Sequence, residues 1–128
     1  MKFVFMFFGF FFFSIAAQAC TAVSSATTIS SAGSYCLTNH IFVSTPGANG
    51  ITVTASNVSI DLNAFAIVGP GYGDGSGIKA VNVDGLRVFS GSIRSFRYGI
   101  EAVYSDGSYV GYVDASDNKM RGIMVIGS

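Results

Sequence analysis

The carboxylates are the side chains of this sequence with the most chemistry to offer. Asp61, Asp74, Asp84, Asp106, Asp114 and Asp117 supply most of them, and Arg87, Arg94, Arg97 and Arg121 supply guanidinium groups over the same stretch. A calcium ion would need roughly six to eight oxygens converging on one point. Asp84 and Asp106 stand before Gly85 and Gly107, where an Asp-Gly pair is explained by a turn. His40 is the single histidine and lies far along the chain from the acids, so it reads as a solvated residue. A second kind of chemistry is recognition by flat rings and planar donors. Tyr98, Tyr104, Tyr109 and Tyr112 fall close together, with Arg94 and Arg97 beside them. Tyrosine is a strand former, so structure is the default role; outward-facing copies could line a shallow groove for sugar rings. Tyr72 and Asp74 add an apolar face and an acceptor within a glycine-rich stretch, residues 69–77. That stretch lacks the Lys-Ser/Thr of a phosphate loop and the glycine spacing of a dinucleotide site. It reads first as a flexible loop between strands.

Positioning these groups falls to a repeat. Gly50-Ile51, Gly77-Ile78, Gly99-Ile100 and Gly122-Ile123 each open a strand-like piece, and the isoleucines are 27, 22 and 23 residues apart. A period of that size, with turns between short strands, marks a solenoid that adds one coil per repeat. Val58, Ile60 and Leu62 alternate with polar residues, as do Leu86 and Val88 around Arg87, so one side of each strand faces inward. Third strands are expected at 65–67 and 92–94. The residue after each isoleucine, Thr52, Lys79, Glu101 and Met124 in turn, should point outward. Lys79 and Glu101 then sit side by side as a surface pair that sets register rather than a catalytic one. A β-sandwich also has regular turns, but it has no reason to return to one dipeptide every three strands.

Residues 1–19 read as a secretory signal: Lys2, the apolar run Phe3 to Phe13, and a small-x-small cleavage site ending at Ala19. Eight of the twelve phenylalanines lie there, and its removal leaves 109 residues with six basic and seven acidic side chains. That balance gives no footing for nucleic acid, which needs clustered Lys and Arg. A secreted, periplasmic or cell-surface location follows. Cys20 and Cys36 are the two cysteines. In an oxidising compartment they would form a disulfide worth about 3 kcal/mol at this loop length. The alternative is a degenerate lipoprotein signal with lipid on Cys20, disfavoured by Ala17 and Gln18. The membrane is otherwise met only through the signal peptide.

The segments Thr27-Thr28-Ile29-Ser30 with Gly33-Ser34-Tyr35-Cys36-Leu37, Val58 to Gly69, and Ser90 to Phe96 with Gly99-Ile100 resemble the coils of secreted right-handed parallel β-helix proteins of the pectate-lyase-like superfamily. Ala64 and Ser90 depart from that pattern, which carries Gly and Asn there. The resemblance implies an all-β, right-handed parallel β-helix of about three to five coils. An N-terminal cap would span residues 20–50 and the coils residues 51–128. Asp61 belongs to the structural part of that pattern, leaving Asp74, Asp114 and Asp117 without a structural role. Lyases and hydrolases of the superfamily need clustered acids, and a complete active site is not expected in this chain; nor is a cofactor or metal. The leading expectation is a non-catalytic module binding a polysaccharide or cell-surface glycan through Tyr72, Asp74, Arg94, Arg97, Tyr98 and Tyr104. The alternative is an N-terminal fragment of a polysaccharide lyase or hydrolase. Self-association through an uncapped C-terminal coil is a further expectation, as is truncation of a longer protein.

Overall fold

A strand buried on one side must alternate, and in this chain the alternation returns every coil. The computed structural model describes residues 19–127. The signal-peptide reading therefore lies outside the described residues, apart from Ala19. Twelve strands follow in order: β1 (Thr21–Val23), β2 (Thr27–Ile29), β3 (Gly33–Leu37), β4 (Ile41–Phe42), β5 (Ile51–Val53), β6 (Val58–Asp61), β7 (Ala66–Val68), β8 (Ser76–Val81), β9 (Arg87–Arg94), β10 (Tyr98–Val103), β11 (Tyr109–Asp114) and β12 (Arg121–Ile126). No described residue is helical.

All pairings are parallel. One sheet runs β2-β5-β8-β10-β12; the other joins β1-β3-β6-β9-β11, with β4 and β7 attached through β9. The chain is thus an all-β parallel solenoid of about four turns, as the repeat requires. Ile51, Ile78, Ile100 and Ile123 pair in succession on neighbouring strands. The first coil is already wound by β2, β3 and β4, inside the segment expected to be a cap, and β1 adds one strand beneath β3.

The recurring dipeptide has a packing cause. A Cβ on Gly50 would lie 2.5 Å from the carbonyl oxygen of Gly77, one on Gly77 would lie 2.7 Å from that of Gly99, and one on Gly99 would lie 2.5 Å from that of Gly122. Each coil rests its backbone on the glycine beneath it, and no side chain fits between. The isoleucine that follows turns inward: Ile51, Ile78 and Ile100 are fully buried.

Corners are stacked as well. Asn57, Gly85 and Gly107 all take left-handed angles, and the N–H groups of Asn57 and Gly85 donate to the carbonyls of Asp84 and Asp106 at 2.8 and 2.9 Å. Asn and Gly suit that geometry. Asn82 and Tyr104 make a second left-handed corner, Ser90 and Tyr112 a third. At the third corner the chain bends without leaving the ladder, so the second and third strands expected in these coils fuse into β9 and β11. Charge is segregated along the axis: between Lys2 and Asp61 the sequence holds no Lys, Arg, Asp or Glu. The first coil and most of the second are neutral.

Candidate functional site

The outward positions of β5, β8, β10 and β12 form rows across the coils. Thr52, Lys79, Glu101 and Met124 stack as expected. Lys79 Nζ stands 3.9 Å from Glu101 Oε1. A pair so placed is worth only about 0.2–1 kcal/mol. The same oxygen accepts a 2.6 Å hydrogen bond from Ser76 Oγ. Ser76 is fully buried, and its N–H donates to Asn49 Oδ1 at 2.9 Å. Above it on the next strand sits Tyr98, and above Tyr98 sits Arg121. Asn49 and Ser76 escaped the sequence reading. Their only signal was position, each just ahead of a Gly-Ile pair.

Beside this row lies the glycine-rich segment, which is packed rather than free. A Cβ on Gly75 would collide with the Ala48 carbonyl below. From above, Gly71 donates to the Ser95 carbonyl, and the Gly75 carbonyl accepts the N–H of Arg97 at 3.0 Å. Held this way, Asp74 reaches Arg97: Oδ1 and the guanidinium are 3.5 Å apart. The same guanidinium lies over the Tyr98 ring, 5.2 Å from its centroid. Asp74, Arg97 and Tyr98 therefore come together on one exposed edge.

The other nominated residues do not join them. Tyr72 is exposed on the glycine-rich segment. Tyr104 lies six residues along from Tyr98, about 20 Å at strand rise, at a left-handed corner. Tyr109 belongs to the second sheet, where the Arg87 guanidinium lies 4.8 Å from its ring centroid, and Tyr112 is 89% exposed at the third corner. One sequence cluster is thus distributed around the solenoid. Arg94 lines a separate shallow groove of about 270 Å³ with Ser92, Asp114, Ser116 and Asp117. Asp114 Oδ1 accepts hydrogen bonds from the Ser116 hydroxyl at 2.7 Å and N–H at 3.1 Å. These bonds, helped by Arg94, hold the Asp114 carboxyl below its ordinary value.

Several acids are structural. Asp61 accepts the N–H of Asn63, and Asp84 accepts the N–H of Asp106 at 3.0 Å, one coil above. Among the described residues no three of His, Cys, Asp and Glu gather as a metal site. His40 is exposed but engaged, its Nδ1 accepting the Ala66 N–H at 3.0 Å and its ring standing edge-on to Phe65. Cys20 and Cys36 form a disulfide that ties the lead into β1 onto β3. No known family model, curated protein or solved structure matches this chain.

Proposed function

We propose that this chain is an exported, non-catalytic module that binds carbohydrate through the edge formed by Asp74, Arg97 and Tyr98, extended by the Lys79–Glu101 row. The observation that carries this reading is the meeting of Asp74, Arg97 and Tyr98 on one edge, with Arg97 paired to Asp74 and laid over the Tyr98 ring. The guanidinium, the Tyr98 hydroxyl and the Asp74 carboxylate offer donors and acceptors to the hydroxyl rim of a sugar. The coil motifs support kinship with pectate-lyase-like β-helices, and the disulfide is compatible with an extracellular location.

A glycan array compares the unaltered chain with Arg97→Ala and Tyr98→Ala. Each variant should lose about tenfold in affinity, or ~1.4 kcal/mol, while keeping its melting temperature. Undiminished binding in both variants would dismiss this edge; no binding by the unaltered chain would dismiss the reading itself. A second reading, the fragment of a lyase or hydrolase, draws on the groove where Arg94, Asp114 and Asp117 meet. Release of unsaturated or reducing ends from pectin or alginate would favour it. Lipid on Cys20 and the bridge to Cys36 both require the Cys20 sulfur, so intact mass after export separates those two fates.

A further inference from the structure

The outer face of the first sheet carries two rows in its middle coils. Ile78, Ala80, Ile100 and Ala102 turn inward and are fully buried, so the residues that alternate with them face out. One row is Lys79 on β8 and Glu101 on β10; the other is Val81 on β8 and Val103 on β10, which Ile126 continues on β12. Val81 is 41% exposed, and Tyr104, 54% exposed, ends the apolar row at its corner. Apolar side chains left in water in a continuous row mark an interaction surface.

What such a face fits is decided by the arrangement of its charges. An isologous contact uses one patch twice, so each place must suit the place that the two-fold axis exchanges it with. Consider an axis in the plane of contact, parallel to the strands and midway between β8 and β10. It lays β8 of one copy across β10 of the other and keeps every position along the strands. Residues that are register partners within one copy then face each other between copies. Lys79 meets Glu101 of the second copy, Val81 meets Val103, and the reverse pairs repeat both matches. Charge is opposite at each exchanged place, and the apolar row lies on itself. The ion pair within one copy leaves room for this: Nζ and Oε1 are 3.9 Å apart, and the Lys79 side chain is 40% exposed. Sheets stacked face to face bury such rows between them at a spacing of about 10 Å.

We infer that this chain forms a two-fold dimer through the outer face of its first sheet, with β8 of one copy across β10 of the other. The inference goes beyond the carbohydrate reading: the Asp74–Arg97–Tyr98 edge borders this face, and the Lys79–Glu101 row lies within it, so a sugar and a second copy compete for the row. The strands concerned have six residues each, about 20 Å at strand rise, and a patch of that width belongs with weak, concentration-dependent associations. Sedimentation velocity on the full chain at low salt should show monomer and dimer and nothing larger, because the contact closes. Lys79→Glu and Glu101→Lys each set like charges face to face and should raise the dimer Kd about tenfold or more. Lys79→Glu also leaves the hydrogen bond from Ser76 to Glu101 in place, which separates the contact from the loss of that bond. Circular dichroism and thermal melting verify that both variants stay folded. Mixing the two variants is the sharpest step. One then has an acid at both positions and the other a base at both, so every facing pair is opposite again and the mixture should dimerise where neither variant does alone. A wild-type chain that stays monomeric at every concentration would overturn the inference. So would species larger than a dimer, a dimer that both variants leave unchanged, or a mixture that stays monomeric.

Discussion

The third coil and the fourth occupy equivalent turns of one winding, yet their interiors differ. In the third coil the inward positions are Ile78, Ala80, Val83, Leu86, Val88, Ile93 and Phe96, all almost wholly buried. One step up the register the same positions hold Ile100, Ala102, Ser105, Ser108, Val110, Ala115 and Asn118. Apart from Val110, which repeats Val88, large apolar groups give way to small or polar ones on the second and third faces, while the first face keeps its isoleucine. The strands above the two coils differ as well. Among the described residues the third coil is roofed by β10 and β11, and the fourth has β12 alone above its first face. Where a roof exists, a large side chain removes apolar surface from water at about 25 cal/mol per Å². In the fourth coil the smaller side chains of Ser105 and Ala115 are nonetheless buried. Asn118 takes another part there, joining the turn to the coil below through the Phe96 N–H at 3.1 Å and the Ile93 carbonyl at 2.9 Å.

The contrast is testable by truncation at matched seats. Ile78→Ala, in the column between Ile51 and Ile100, should cost about 2–5 kcal/mol in chemical denaturation. Ile123→Ala, two strands along the same column, should cost about 1 kcal/mol or less, because the side chain is already half in water. Equal losses would mean that the last strand is covered in solution.

A smaller effect of opposite sign is expected at Ser108. Its hydroxyl oxygen is buried and finds no hydrogen-bond partner among the described residues. Its seat is the one held by Leu86 below. Ser108→Val should raise stability by about 1 kcal/mol, by removing the unmet polar group. A loss of stability would show that the fourth coil needs polarity inside.

The least effect concerns Asp114 at the rim of the fourth coil. Hydrogen bonds from Ser116, and then Arg94, favour its charged form, so its carboxyl titrates below the ordinary 3.8. A depressed folded value stabilises the fold above the unfolded value, and that contribution fades as pH falls through the folded one. Carboxyl NMR titration should give a midpoint under 3.8, rising in Ser116→Ala; an unchanged midpoint there would remove Ser116 as the cause.

Much of the architecture was legible because a solenoid writes its period into the chain. The Gly-Ile spacing foretold which isoleucines pair, and from that which residues share an outer row, including Lys79 beside Glu101. The reason for the glycine was not legible, since it lies in a carbonyl one coil away. Nearness in sequence misled where the chain turns corners: Tyr98, Tyr104, Tyr109 and Tyr112 look like one patch on paper but point to separate sides. Asp74 and Arg97, more than twenty residues apart, meet because the stacking brings them level. The glycine-rich segment read as loose for the same reason, its supports being contributed by neighbouring coils.

The glycine seat has an evolutionary corollary. Since each coil presents its neighbour with the same bare patch of backbone at Gly50, Gly77 and Gly99, the joint between coils is repeated even where their interiors differ. Duplication or deletion that begins and ends at a Gly-Ile pair alters the length of the rod while keeping that backbone joint intact. A fold built this way can change its reach in one genetic step, whereas a sandwich of similar size would have to be reinvented.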